Sequence, residues 1–367
     1  MASAVSRELA TASTPPALPA GGRARETSLV AASPRPYIEL LACPACDGAL
    51  RDQGSALSCV SCNASYLIAN GIPDLRVPSE ARTETVREFY SRSPFPNYPP
   101  NDTLSGLRGR AAKSEFARLL EQAIPGDAKV LEIGCGTGQM SLFLATADRQ
   151  VLGADLTRAS LELGARAAGK YGLDHVRFVE TDLRSPGLRA GAFDVVYSSG
   201  VLHHTPDPRA SFRAMARLVR PGGIVVLGLY NAYARFPHLL RRAVAKLTKN
   251  KWIPWDPVLR ARETEPERRR AWFFDQYEHP EEHRHTTAEV QRWFRENEIE
   301  YLRTYPNSLL SAEPLEGPEL FTPAEDDWGL ENVLSQLGWA RSLSYEGGLW
   351  VTIGRKASVP SEPTLRA

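Results

Sequence analysis

Apolar and polar positions alternate in a regular order through the middle of the chain. Residues 129–133, Lys-Val-Leu-Glu-Ile, read as a buried strand, followed by a glycine-rich turn and a helix-like run at 140–147. The same sequence of events repeats. A strand is expected at 151–155, a helix opened by Thr157, and strands at 176–180 and 193–197. A helix with Phe212, Met215 and Val219 on one face then leads through Pro221-Gly222-Gly223 to a strand at 224–229. Strands alternating with helices predict an α/β fold, a parallel sheet with helices on both faces. In such a sheet ligands bind beyond the carboxyl ends of the strands, where strand order reverses.

The flanking segments lack this rhythm. Residues 1–36 are rich in Ala, Pro, Ser and Arg with no aromatic before Tyr37, so a disordered arm is expected there, with another loose tail at 356–367. A cysteine module occupies 37–78 and a Pro-rich connector 79–103; the α/β domain spans 104–355 and carries an insertion at 231–284. The chain has 367 residues, 43% of them hydrophobic and 24% charged, with a formal net charge of +1. These averages describe a globular protein with no global attraction to nucleic acid or acidic lipid. Apolar runs fall short of the roughly 20 residues that span a bilayer, so no integral membrane segment is expected. A secretory h-region is also missing, and the reading is cytoplasmic.

Four of the five cysteines form two CxxC knuckles, Cys43-Pro-Ala-Cys46 and Cys59-Val-Ser-Cys62. This spacing suits one tetrahedral zinc ion, and a module of this size needs such a staple because it buries little apolar surface. A disulfide pair or a redox CxxC would expect a different setting, since neither knuckle sits in a thioredoxin-like strand and helix. Four thiolates fill the coordination shell, so the zinc is expected to be structural. With Asn70-Gly71-Ile72-Pro73-Asp74 downstream, the module resembles the Trm112-like zinc ribbon. That resemblance implies an association with methyltransferases, either fused to them or as a protein partner.

The turn after the first strand reads Glu132-Ile133-Gly134-Cys135-Gly136-Thr137-Gly138, a loop that lets a ligand approach backbone N–H groups at a helix start. Asp155 ends the next strand, where a carboxylate suits the hydroxyls of a ribose, and Asp182 ends the third. Gln139 stands where a dinucleotide loop would carry its third glycine. The ordered motifs VLEIGCGTG, GADL, TDL, FDVVYSSGVLHHTPDP and RPGG resemble the class I S-adenosylmethionine-dependent methyltransferases of the type 11 branch. The resemblance implies a Rossmann-like seven-stranded sheet, with strands six and seven near 301–306 and 349–354 and the last antiparallel. It also implies that Glu132, Gly134, Gly136 and Gly138 hold the methionine part of the cofactor. Asp155 would then hold its ribose, Asp182 and Leu183 its adenine, and Leu156 would also bind the cofactor. Ser198, Ser199 and Gly200 would edge the site.

Methyl transfer to a hydroxyl or protonated nitrogen requires a base, and His203 and His204 follow the fourth strand at the appropriate edge. Tyr277, His279, His283, Arg284 and His285 make either a polar wall near the acceptor or a solvated helix end. The stretch 231–251 carries six Lys or Arg and no acid, with Phe236, Leu239, Leu240 and Val244 at helical spacing; it suits either contact with anionic lipid or RNA or, as the preferred reading, a charged outer face on an inserted helix. Tyr90, Phe95 and Tyr98 in the connector suit either a lid or a packed linker. A small-molecule acceptor, lipid-like in character, is favoured by the near-neutral charge and the acidic 304–340 region. An RNA base methyltransferase and a non-catalytic cofactor-binding or assembly subunit stay open as alternatives.

Overall fold

The computed structural model describes residues 35–78, 83–84, 87–88, 91, 98, 101–145, 147–253, 256–261, 266–279, 281–307, 315–324, 329–343 and 347–358. The expectations for the N-terminal arm, Tyr90, Phe95 and most of the C-terminal tail lie outside the described residues.

Four short strands, β1 (Leu50–Asp52), β2 (Ala56–Cys59), β3 (Ser65–Ala69) and β4 (Ile72–Pro73), form an antiparallel meander. The two cysteine knuckles bracket β1 and β2 and are built alike. In each, the fourth residue after the first cysteine takes a left-handed conformation, Asp47 at φ 57° and Asn63 at φ 60°, and its N–H returns to that cysteine's carbonyl. Asp and Asn tolerate this region better than other side-chain-bearing residues. The chain is thereby turned so that each pair of thiols points to one place.

The second sheet contains β5 (Lys129–Ile133), β6 (Gln150–Asp155), β7 (Val176–Glu180), β8 (Phe193–Ser199), β9 (Val219–Tyr230), β10 (Ile299–Tyr305) and β11 (Leu349–Lys356). Its order is β10-β11-β9-β8-β5-β6-β7, and β11 runs antiparallel to both neighbours. This is the seven-stranded mixed sheet expected from the resemblance. Strand order reverses at β5, which pairs in parallel with β6 on one side and β8 on the other. Residues such as Val130, Leu131, Val151, Val196 and Val225 are almost fully buried, as strands covered on both faces must be.

One local expectation changes. The helix with Phe212 and Met215 ends at Ala216, and Val219 opens β9 instead of extending the helical face. Pro221 and Gly222-Gly223 lie inside this long strand and accompany a register shift against β8.

The ribbon is packed on the large sheet. Its Tyr37, Leu40, Leu57 and Leu75 share a core with Leu131, Val179 and Leu188. Asp74 bridges Glu180 in parallel and the Leu75 N–H donates to the Glu180 carbonyl at 2.8 Å, so the chain leaving β4 extends the β7 edge. Arg158 fastens this junction, reaching the Glu180 carboxylate at 2.6 Å and the Ile72 carbonyl at 2.8 Å. Covering an open edge removes unpaired backbone groups, and the small ribbon gains core it could not supply alone.

Candidate active site

A cavity of 720 Å³ opens at the carboxyl ends of β5, β6 and β8, at the strand-order reversal. Of the residues expected to hold a cofactor, it brings together Glu132, Gly134, Gly136, Asp155, Leu156, Asp182, Leu183, Ser199 and Gly200. Gly138 and Ser198 are placed behind the lining. Ser198 is buried and its hydroxyl donates to the Ile133 carbonyl at 2.8 Å, while Gly138 starts the Gln139–Leu144 helix at φ 75° with its α-carbon against Phe178.

The glycine loop is fixed by the strand beside it. The Gly136 N–H donates to Asp155 Oδ2 at 2.8 Å and the Thr157 N–H to Oδ1 at 2.8 Å, so one carboxylate joins the loop to the start of the next helix. Burial raises the Asp155 carboxyl above its usual range, opposed by the Gly136 bond. Gly134 is required by close packing: at φ 76°, a β-carbon there would lie 2.2 Å from a Val201 methyl. Glu132 lies beneath, bonded by the Ser141 hydroxyl, and burial pushes its carboxyl up to about 8 against that bond. At β7, Arg184 pairs with Asp182 at 3.0 Å and orients that carboxylate.

Beyond the glycine loop the lining changes character. His204, Tyr230, Trp272, Gln276 and Leu349 form one wall. His204 Nδ1 donates to the Glu281 carbonyl at 2.7 Å, which fixes the orientation of the ring at the cavity. His203 does not reach the cavity. It is fully buried, stacked on Tyr230 at 3.8 Å with its ring centroid 4.3 Å from His204. Burial, and then the neighbouring His204, holds its ring well below the usual histidine range. On the opposite face of Tyr230 lies the Arg235 guanidinium, 3.5 Å from the ring centre.

That arginine heads a buried polar chain. Glu282 binds it at 3.0 and 2.8 Å; Arg235 binds Gln276 at 2.8 Å, and Gln276 donates to the Tyr230 hydroxyl at 2.6 Å. Burial alone would raise the Glu282 carboxyl, but the bond and charge of Arg235, aided by Arg242, bring it down to about 2. His279 and His285 are buried, His279 within 3.7 Å of the His204 ring centre, while His283 is part-exposed. This segment is therefore a supporting layer behind His204 and not a solvated helix end.

Tyr230 was legible in principle, since it ends β9 as Asp155 ends β6. Trp272 and Gln276 come from the insertion, where no motif marks them. Arg110, Met140 and Phe143 complete the lining on the side of the glycine loop.

Residues 131–227, which carry the glycine loop, Asp155, Asp182 and the two histidines, match the family model described as Methyltransferase domain. This segment is a methyltransferase domain. The chain is also similar to an uncharacterized protein of Synechococcus sp., 27% identical over 247 residues that make up 60% of this chain and 59% of that protein. A ubiquinone biosynthesis O-methyltransferase of Cronobacter sakazakii is 36% identical over 107 residues, 29% of this chain and 44% of that enzyme. The chain thus spans about half the length of these curated relatives. Among solved structures, magnesium protoporphyrin IX methyltransferase from Synechocystis PCC 6803 aligns with a TM-score of 0.45 at 14% identity, over 75% of this chain and 100% of that one. A complex of the Haloferax volcanii Trm112 methyltransferase activator with a methyltransferase aligns with a TM-score of 0.42 at 16% identity, over 69% of this chain and 93% of that one. The matched segment supplies the glycine loop, Asp155, Asp182 and His204 to the cavity, while Arg110, Tyr230, Trp272, Gln276 and Leu349 come from outside it.

Proposed function

We propose that this chain transfers a methyl group from S-adenosylmethionine to a small, largely apolar acceptor. The observation that carries the reading is the Asp155 carboxylate, which lines the cavity while tying the Gly136 loop to the end of β6. The residues present suit that cofactor. Gly134 and Gly136 keep the loop backbone at the cavity surface, Asp155 and Asp182 stand at successive strand ends, and a β-carbon on Gly200 would meet no atom within 4 Å. When bound, S-adenosylmethionine supplies an electrophilic methyl on a sulfonium centre.

The chain's own work is positioning, water exclusion and proton transfer. Asp155 and Asp182 offer negative charge to the cationic donor. Leu107, Phe143, Val201 and Leu349 give the cavity apolar surface, and its volume lies inside the range of about 300–1,000 Å³ typical of small-molecule sites. His204 is the base. Its Nδ1–H is held by the Glu281 carbonyl, so Nε2 receives the acceptor's proton as the new bond to the methyl carbon forms. Tyr230 orients the acceptor through its hydroxyl, which Gln276 holds in place. The name of the Cronobacter relative supports oxygen as the methylated atom. Among the described residues the lining arginines are each paired with a carboxylate, Arg87 with Glu84, Arg110 with Asp102 and Arg184 with Asp182, which suits a small acceptor better than an RNA backbone.

The same reading includes a structural zinc held by Cys43, Cys46, Cys59 and Cys62. Their sulfurs lie within 4.8 Å of one another, with Cys43 to Cys62 at 3.6 Å and Cys46 to Cys59 at 3.5 Å. Zinc–sulfur bonds of about 2.3 Å give tetrahedral edges of roughly 3.8 Å, close to this arrangement. The ribbon's inner face is occupied by this chain's own sheet edge, so a protein partner would meet its outer face.

Isothermal calorimetry with S-adenosylmethionine and its demethylated product, on wild type and Asp155→Ala, tests the cofactor. Undiminished affinity in the variant, or preferential binding of NAD, sinks the reading. Incubation of labelled cofactor with a fractionated cell extract tests the acceptor: label in the small-molecule fraction is expected, and label in RNA would overturn it.

A further inference from the structure

The outer face of the 231–251 segment is apolar as well as charged. Its helix, Phe236–Leu247, buries His238 and Ala245 and turns apolar side chains outward: Phe236 is 60% exposed, Leu240 56% and Leu247 84%. These residues are spaced four and seven apart and share one helical face. Trp252, 58% exposed, follows directly. Such grouping of large apolar side chains on an outer surface marks an interaction site.

Charge identifies the occupant. No acidic residue occurs between 231 and 251, while Arg241, Lys246, Lys249 and Lys251 accompany the apolar line. Arg235 and Arg242 are committed inward to Glu282. At 100° per residue, Arg241 lies on one side of the Phe236–Leu240–Leu247 line and Lys246 on the other. Basic residues flanking an exposed stripe of Phe, Leu and Trp are the pattern of a helix lying in a membrane interface, its apolar edge among acyl chains and its cations at anionic headgroups. A nucleic-acid surface accounts for the cations but not for exposed leucines. No helix among the described residues is long and apolar enough to cross a membrane, so contact through this helix would be peripheral.

We propose that the outer face of the Phe236–Leu247 helix docks on an anionic lipid surface. The helix joins directly to the acceptor wall: Arg235 at its start holds Gln276, and the His238 ring bonds the Gln276 carbonyl at 2.9 Å. Docking therefore sets the acceptor side of the cavity one helix thickness from the lipid. The surface itself does not depend on which reaction the cavity performs.

The test is co-sedimentation of the full chain with vesicles of phosphatidylcholine alone and of phosphatidylcholine and phosphatidylglycerol in equal parts. The chain is expected to pellet with the mixed vesicles and to bind the neutral ones far more weakly. Leu240→Asp with Leu247→Asp should reduce partitioning at least about tenfold, and Lys246→Glu, Lys249→Glu and Lys251→Glu about fivefold each. Both sets alter exposed side chains, so an unchanged thermal melt is expected and checks folding. Failure of the wild type to pellet, equal binding to both vesicles, or wild-type binding by the leucine variant overturns the proposal. So does leucine-dependent dimerisation in place of lipid binding, or retention by RNA alone with a steep salt dependence.

Discussion

The Tyr98 hydroxyl donates to the carbonyl of Thr137 at 2.7 Å, joining the connector to the glycine loop thirty-nine positions away. Thr137 stands between Gly136 and Gly138, so the phenol restrains the loop whose Gly136 lines the cavity. Its ring also packs against the core on that side of the sheet. Tyr98→Phe keeps the ring and removes the bond. It is expected to weaken cofactor binding by about 1 kcal/mol, roughly fivefold, with little change in melting temperature. Calorimetry paired with thermal melts separates this from a packing role, which would lower stability and leave affinity intact.

Glu132 supplies a pH dependence. Its carboxyl is raised from the ordinary value to about 8 in the folded chain by burial, so between about pH 4.5 and 8 the native state keeps a proton that the unfolded state releases. Its stability contribution is full below the unfolded value and is lost as pH rises through 8. Glu132→Gln should flatten that part of the stability curve, measured by urea unfolding at a series of pH values. An unchanged slope would show that Glu132 is ionised throughout.

The Arg235–Glu282 pair tests the acceptor wall. Both side chains are almost fully buried, and removing one leaves the other charge unpaired. Glu282→Gln is expected to cost about 3–5 kcal/mol of unfolding free energy. Because the folded carboxyl lies near 2, its contribution is present above the unfolded value and is lost as pH falls toward 2. Urea unfolding at neutral and acid pH should show the variant's deficit shrinking with acidification.

His204 should behave as a base. His204→Gln is expected to lower kcat by about 100-fold or more for a hydroxyl acceptor while leaving cofactor affinity nearly unchanged. His203→Gln should act through stability, because His203 lies behind the lining. Single-turnover assays alongside cofactor titration distinguish the two, and equal loss of turnover in the folded fraction of both variants would remove the special place given to His204.

Cys59→Ser should release the ribbon's metal. Elemental analysis of reduced wild type is expected to give about one zinc per chain, and the variant little or none. Since the ribbon covers the β7 edge through Leu75 and Glu180, the loss should also destabilise the large sheet and lower its melting temperature. A metal-free wild type with an unchanged melt would refute the zinc assignment.

What the sequence determined by itself was the part governed by local spacing. Strands at 129–133 and 151–155 showed themselves through apolar runs ended by Gly134 and Asp155, because a strand buried on both faces must be nearly continuous in apolar residues. The knuckles were legible because metal geometry constrains neighbours in sequence. Tertiary structure alone decided where the ribbon packs, since the Leu75–Glu180 pairing joins residues 105 positions apart. It likewise separated His203 from His204: adjacent in sequence, one stacks beneath Tyr230 and the other reaches the cavity. For the Phe236–Leu247 helix the sequence showed cations and apolar residues at helical spacing but left open which side the domain covers. Here the inward face took His238 and Ala245 to support Gln276, and the large apolar residues were left outside.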